Sequence, residues 1–230
     1  ALPSDVTPPQ IIGGCGVVEY AESTRGYSGL VQIGADGKVI DWYGKMHLVM
    51  FGEYVPLIKY LPLVNRLVPP GMGLTEGDGP RKFEIGEITL CPNICIETAV
   101  ERVGINQLRR LQNETGTIPD AIVTVTNDGW FDDSSIVQHH KRCAQLVAVT
   151  CRRPVLSSAN NGPTVWSDSC GRVVRELPQG DSGSVIAKPR LDDRVSLALL
   201  VGDWPARLCA VFCLAAIFVR RSSQRNTVWK

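Results

Sequence analysis

The stretch Ile85-Gly-Glu-Ile-Thr-Leu-Cys-Pro-Asn-Ile-Cys-Ile-Glu-Thr-Ala-Val100 decides the fold. Its isoleucines and leucine surround the turn-forming pair Pro92-Asn93 and predict a buried strand. Glu97 stands two positions after Cys95, so strand alternation predicts that both side chains lie on one face. A thiol beside a carboxylate at a strand end indicates chemistry, and Cys95 is the candidate nucleophile. The alternative is a small core residue, because free cysteine is among the most buried types.

The composition is that of a globular protein. Of the 230 residues, 44% are hydrophobic and 20% are charged, which suits one large domain or two small ones. The chain has 24 Lys and Arg against 23 Asp and Glu, and this net charge of +1 gives no electrostatic basis for a nucleic-acid partner.

The eight cysteines lack the paired spacing of a zinc ribbon or a small disulfide scaffold. A metal site built from His139, His140 and Cys143 is conceivable. A solvated helix face with one core thiol is the favoured interpretation. We therefore expect no metal and no cofactor.

The apolar pattern predicts strands alternating with helices. Helices are expected over Ala99–Gln112 and from about Asp132, whose neighbours supply N-cap chemistry, to just before Pro154. Cys143 and Cys151 fall on the apolar face of the second helix and are expected in the core. The strands are expected at Ile11–Glu19, within a hairpin spanning Gly29–Trp42, and at Ile118–Thr126, Pro154–Ala159, Thr164–Trp166 and Val173–Leu177. This order favours a layered α/β domain.

Lys45 and Glu53 are the candidates for activating the Cys95 thiol. A free thiol is only slightly ionised at neutral pH, so a nucleophilic cysteine needs a neighbouring charge or base. Glu53 lies in an apolar neighbourhood, where a charge must be paired or functional. Without further information, Lys45 is best interpreted as a surface lysine at a strand end. The glycine-rich segment up to Pro80 lacks the ending of a phosphate-binding loop and is interpreted as a mobile surface loop.

The C-terminal region contains twelve uninterrupted apolar residues, Leu208–Val219, followed by Arg220-Arg221. At about 1.5 Å per residue they span about 18 Å, and extension back to Trp204 gives about 24 Å, against a hydrocarbon core of about 30 Å. A membrane anchor is preferred to a buried helix, with Arg207 reaching the interface. The expected ranges are 1–200 for the α/β domain, 203–221 for a transmembrane helix and 222–230 for a basic cytoplasmic tail.

Several motifs, in order, resemble the carbon–nitrogen hydrolase (nitrilase-like) domain of apolipoprotein N-acyltransferases. They are Lys45-Met-His-Leu-Val-Met-Phe-Gly-Glu-Tyr-Val-Pro-Leu57, Ile94-Cys-Ile-Glu97, Asn127-Asp-Gly-Trp-Phe131, Gln138-His139, Arg153-Pro154, Asn160-Asn-Gly162 and Gly202-Asp-Trp204. The apolar helix with its basic tail also occupies the place of that family's last membrane span.

The resemblance implies an α-β-β-α sandwich, N-terminally incomplete and followed by one membrane-type helix, in a bacterial inner-membrane protein with the domain in the periplasm. It implies that Cys95 takes an acyl chain from a phospholipid as a thioester and passes it to the N-terminal diacylglyceryl-cysteine of a lipoprotein. By the same resemblance Lys45 stabilises the oxyanion, Glu53 supports the site and Glu97 is the acid after the nucleophile. Trp130 and Phe131 would shape the pocket mouth, although packing alone would equally explain them.

The general-base glutamate of that family lies well upstream of the lysine. Only Glu19 and Glu22 precede Lys45, and neither has the expected surroundings. We therefore expect a C-terminal fragment that lacks its base, its first strands and the upstream membrane helices. Two alternatives stay open: a soluble amidase or nitrilase, and a catalytically inactive nitrilase-like module.

Overall fold

The computed structural model describes residues 8–21, 24–56, 73–131 and 134–227. The chain begins with an antiparallel sheet of three strands, β1 (Ile11–Glu19), β2 (Arg25–Ile33) and β3 (Val39–Gly44). Gly37 has φ 77° in the tight turn between β2 and β3, a conformation that glycine adopts without strain. The predicted first strand and hairpin are confirmed.

A second sheet contains six strands in sequential order. Its second, third and fourth strands pair in parallel, and the other neighbouring strands pair antiparallel. The members are β4 (Phe83–Ile85), β5 (Ile88–Ile94), β6 (Ala121–Asn127), β7 (Val155–Asn160), β8 (Thr164–Ser167) and β9 (Val173–Leu177). The carboxyl ends of β5 and β6 therefore lie at the same edge of the sheet.

The crossovers between the parallel strands are helical. The helices are α1 (Ile96–Ala99) and α2 (Glu101–Thr115) after β5, α3 (Ser135–Cys151) after β6, and α4 (Leu197–Val201) and α5 (Trp204–Thr227) near the C-terminus. The two long predicted helices are thus confirmed with shifted boundaries. Asp132, where the second was expected to start, lies outside the described residues, and the observed N-cap is Ser134.

Two apolar clusters define the layers. One lies between the sheets and joins Leu30 and Tyr43 of the first to Phe83, Leu90 and Ile94 of the second. The other lies between the second sheet and its helices; its buried members are Cys91, Leu108, Leu111, Ile122, Ala144, Val147, Ala148, Cys151, Val155 and Leu199. The described residues therefore form a sheet–sheet–helix stack, three layers of the predicted four-layer sandwich.

Two local predictions around Cys95 and Cys143 need correction. The stretch from Ile85 to Val100 is not one strand, since β4 and β5 form a hairpin and the chain turns into α1 at Cys95. Glu97 therefore belongs to a helix, and strand alternation does not place it. Cys151 is fully buried as expected, whereas Cys143 is only half-buried.

The C-terminal helix α5 is continuous over 24 residues and extends through Thr227. Residues 222–227, predicted as the start of a basic tail, continue the same helix. Within the described ranges, no helix combines the length and hydropathy needed to cross a bilayer, so the predicted transmembrane helix over 203–221 is not supported. Large apolar side chains of α5 nevertheless lie exposed, among them Phe212 and Phe218.

Candidate active site

Cys95 occupies a strained turn between β5 and α1. Its backbone has φ 51° and ψ −115°, a region that costs a non-glycine residue about 1–3 kcal/mol. The Cys95 amide donates to the Val125 carbonyl at 3.0 Å, and the Cys95 carbonyl accepts from the Thr98 amide at 3.0 Å. The thiol is half-buried at the margin of the inter-sheet core. The candidate nucleophile therefore lies where β5 ends and α1 begins.

The Glu97 carboxylate is fully buried and ties together two loops that are about fifty residues apart in sequence. One oxygen accepts from the Tyr43 hydroxyl at 2.7 Å and from the Met46 and His47 amides at 2.8 and 3.0 Å. The other accepts from the Ile94 amide at 2.8 Å. Burial raises the pKa of Glu97, while these hydrogen bonds oppose that rise. Glu97 fixes the loop of residues 45–54 after β3 (the Lys45 loop) to the turn at Cys95 (the Cys95 turn) and has no access to solvent.

Tyr43 and Gln107 extend this buried network. The Gln107 side-chain amide donates to the Tyr43 hydroxyl at 2.6 Å, and its carbonyl oxygen accepts from Asn93 at 2.5 Å. Burial and the neighbouring Glu97 raise the pKa of Tyr43, which keeps its hydroxyl protonated as a donor.

Lys45 lies at the end of β3 and is only 1% exposed, so its interpretation as a surface lysine is wrong. Its ammonium donates to both oxygens of Glu53, at 2.7 and 2.8 Å. Glu53 also accepts from the Val49 amide at 2.7 Å. Glu53 is therefore paired, which is one of the two outcomes expected for a charge in its apolar neighbourhood. An ammonium has three donors, so Lys45 keeps one beyond the pair with Glu53.

The segment from Gly73 to Pro80 closes over this loop. The Gly77 amide donates to the Lys45 carbonyl at 2.9 Å, and the Gly73 and Leu74 amides donate to the Glu53 carbonyl, each at 2.9 Å. The described part of the predicted mobile surface loop is thus hydrogen-bonded through its backbone to the candidate site. Residues 57–72 lie outside the described ranges.

His140 was missed by the sequence reasoning as a site residue. Its Nε2 lies 2.9 Å from the Cys95 carbonyl oxygen, and its Nδ1 lies 3.0 Å from Asp128 Oδ1. The side chain is 11% exposed, so the solvated helix face expected here is wrong for this residue. His139 is exposed. No group of three or more His, Cys, Asp or Glu side chains in the described part of the chain is arranged to hold a metal ion.

Asp128 begins a 3₁₀ turn, Asp128–Trp130, directly after β6. Trp130 at the end of this turn is 82% exposed, which rules out packing as the explanation for this residue. Phe131 is half-buried, and its amide donates to the Asp128 carbonyl at 3.0 Å. Trp130 and Phe131 therefore lie at the end of the turn whose Asp128 side chain contacts His140.

The structure connects the predicted site residues through hydrogen bonds and one ion pair. Lys45 pairs with Glu53, and Glu97 joins the Lys45 loop to the Cys95 turn. Among the described residues, no hydrogen bond or ion pair links the Cys95 thiol to Lys45 or Glu53. Glu19 accepts from the Tyr27 hydroxyl at 3.0 Å, and its described contacts do not include Lys45 or Cys95. Glu22 lies outside the described ranges.

No protein-family model matches the chain. The curated relatives include an apolipoprotein N-acyltransferase of Rhodopirellula baltica, 53% identical over 211 residues, which are 91% of this chain and 37% of the relative. Another from Rhodopseudomonas palustris is 27% identical over 224 residues, which are 96% of this chain and 39% of the relative. The chain thus spans little more than a third of the length of these relatives.

Solved structures share the fold at low sequence identity. The glutamine-dependent NAD+ synthetase of Acinetobacter baumannii matches with TM-score 0.55 and 16% identity, covering 75% of this chain and 30% of that protein. Nit3 of Saccharomyces cerevisiae, a member of the nitrilase superfamily, matches with TM-score 0.52 and 16% identity, covering 73% of this chain and 55% of that protein. The chain is therefore a homologue of the apolipoprotein N-acyltransferases and has the α/β fold of the nitrilase superfamily.

Proposed function

We propose that this chain carries the acyl-transfer site of an apolipoprotein N-acyltransferase. The observation that supports it best is that Glu97 joins the strained Cys95 turn to the loop in which buried Lys45 pairs with Glu53. The 53% identity to the Rhodopirellula baltica protein supports the choice of acyl transfer over hydrolysis of a small amide.

In the first half-reaction, the Cys95 thiol gives its proton to a general base, and its sulfur attacks the ester carbonyl carbon of a phospholipid. The sulfur–carbon bond forms and the ester carbon–oxygen bond breaks. The departing oxygen takes up the proton, which releases a lysophospholipid. The family resemblance implies that this base is a glutamate N-terminal to Lys45.

In the second half-reaction, the α-amine of a diacylglyceryl-cysteine attacks the thioester carbon. The carbon–sulfur bond breaks, an amide forms, and the proton released by the amine returns to sulfur. Lys45 would donate its remaining N–H to the oxyanion in both steps, where charge develops in the transition state. Glu53 holds that ammonium in place, and Glu97 is a positioning residue.

The acyl donor and acceptor are both lipids, so apolar groups are needed at the site entrance. Trp130 is a candidate for this contact because it is exposed beside the His140–Asp128 pair. We propose Phe131 as its half-buried neighbour in the same entrance. The enzyme would act at a bacterial inner membrane, and the periplasmic placement of the domain stays a prediction.

The proposal is tested with the intact gene product that contains this chain. Incubation with a phospholipid of defined acyl chains is expected to add one acyl group to Cys95, detected by intact-protein and peptide mass spectrometry and removed by hydroxylamine. The Cys95→Ala variant should give no adduct. Cys170→Ala is the matched control, because Cys170 is exposed and remote from the Lys45 loop in sequence.

Absence of an acyl adduct on Cys95 in a folded, full-length preparation would overturn the proposal. An adduct that forms with a small amide but not with phospholipid would instead identify a hydrolase of the same superfamily.

A further inference from the structure

Both ring nitrogens of His140 face hydrogen-bond acceptors. Nδ1 lies 3.0 Å from a carboxylate oxygen of Asp128, and Nε2 lies 2.9 Å from the main-chain carbonyl of Cys95. A carbonyl oxygen can only accept, and a carboxylate likewise. A neutral imidazole has a single N–H, so it would leave one contact without a proton, whereas an imidazolium donates to both.

Thr126 does not change this assignment. Its hydroxyl lies 3.4 Å from His140 Nδ1 but donates to Asp128 Oδ1 at the shorter distance of 2.8 Å. The Thr126 hydroxyl therefore donates its proton to Asp128 Oδ1, and the N–H at His140 Nδ1 donates to the same oxygen.

The charges around His140 come from several elements. Burial on α3 lowers the pKa of His140, but the hydrogen bond and negative charge of Asp128 and the Cys95 carbonyl raise it, and the rise prevails. Lys45, at the end of β3, opposes protonation by charge repulsion. Lys141, the next residue of α3, is paired with Glu176 of β9 at 2.7 Å.

We propose that His140 is a positioning residue, held as an imidazolium that bridges Asp128 and the Cys95 carbonyl and thereby fixes the turn presenting the nucleophile. The Cys95 backbone is strained at φ 51°, so groups that bind its amide and carbonyl must hold it. Val125 and Thr98 provide two of these contacts from the main chain, and His140 provides the one contact that comes from a side chain among the described residues. This inference rests on the proposed acyl transfer only for its kinetic part.

The protonation state is measured directly by long-range ¹H–¹⁵N NMR of the full 230-residue chain with ¹⁵N-labelled histidine. The chain has three histidines, and His140 is the one that is not exposed. Near the ordinary histidine pKa of about 6.5, His140 is expected to keep signals typical of two protonated ring nitrogens. Loss of that proton at or below the ordinary histidine value would overturn the proposal.

The positioning role is measured by the rate of Cys95 acylation in the intact gene product. His140→Ala is expected to slow acylation by about 100-fold, the scale of a small displacement of a reacting group. His140→Gln can still reach the Cys95 carbonyl with an amide donor and should recover part of that loss, with little change in KM. His139→Gln, the same substitution one residue away on the exposed face, should leave the rate unchanged.

Equal loss in His140→Gln and His140→Ala, or equal loss in His139→Gln, would refute the positioning role. Urea unfolding of each variant identifies one that fails to fold, and the wild-type NMR result does not depend on any variant. If the wild-type protein forms no thioester, the proposed function fails, while the NMR titration still decides the charge on His140.

Discussion

Glu97 is the residue on which the candidate site depends most for its shape. The two oxygens of Glu97 accept from four donors. In Glu97→Gln an amide N–H₂ group replaces one of these oxygens. That group then faces either the Ile94 amide or the Met46 and His47 amides, which lose their acceptor. Leaving such a buried donor unsatisfied costs about 1–3 kcal/mol. We expect this loss in the free energy of unfolding in urea, together with slower Cys95 acylation. Glu101→Gln, an exposed carboxylate nearby on α2, is the control and should change neither; an unaltered Glu97→Gln protein would contradict the role assigned here.

The stability of the folded protein is expected to depend on pH through His140. The pKa of His140 is raised in the folded protein, so its stabilising contribution is fully present below the ordinary histidine pKa of about 6.5 and is lost as pH rises through the folded value. The difference in unfolding free energy between wild type and His140→Gln should therefore shrink between pH 6 and pH 9. For His139→Gln the corresponding difference should stay constant, and a gap for His140→Gln that widens with pH would contradict the sign.

The sequence and the family resemblance proposed Cys95, Lys45, Glu53 and Glu97 as site residues but did not propose a positioning role for His140. Two adjacent histidines differ by about 100° around a helix, and the helix phase decides which of them faces inward. A signal was available, because Val137, His140, Ala144 and Cys151 share the spacing of one buried stripe. Asp128 is its partner only through tertiary structure, which local pattern does not encode.

The segment from Gly73 to Pro80 packs against the end of β3 through Gly77. A Cβ at Gly77 would overlap the backbone of Gly44, so the segment can lie against the end of β3 only with glycine there. We expect Gly77→Ala to lower the free energy of unfolding by about 1–3 kcal/mol and to slow acylation, since the Gly77 amide binds the Lys45 carbonyl. Gly16→Ala is the matched control, because a Cβ there meets no atom within 4 Å. Equal stability of the two variants would show that the segment is not packed as described.

Elements with a clear apolar period were predictable, as β1 and β9 illustrate. The turn at Cys95 was not, because a positive φ at a residue other than glycine is imposed by the surrounding contacts and has no local sequence signal. The sequence pattern therefore predicts a strand through Glu97, whereas the chain is helical at that residue.

At the scale of the whole molecule, α5 stands apart from the two cores. Its side chains from Trp204 to Phe218 are exposed, whereas Leu199 of α4 belongs to the helix-side core. A chain cut after Asp203 is thus expected to keep the urea midpoint of the 230-residue chain to within a small shift. Leu199→Ala should cost about 2–5 kcal/mol, since it empties a buried site. A large loss of stability on removing α5 would mean that it packs on the domain.

The stacking of two sheets and one helical layer followed from element order and from the family resemblance together. Composition alone predicts neither the pairing of the strands nor the burial of the Lys45 side chain. Those features depend on contacts between distant segments, such as Ile94 with Met46 through one carboxylate.

That shared carboxylate has a consequence for variation among relatives. Tyr43, Glu97 and Gln107 form one chain of buried hydrogen bonds, so a change at Tyr43 removes one hydrogen bond from each of the other two. An alignment of homologues should show these positions changing together or not at all. During synthesis, the Lys45 loop and the Cys95 turn can be joined only after residue 97 has been made. Until then, Cys95 of the nascent chain lacks the hydrogen bonds through which Glu97 connects its turn to that loop.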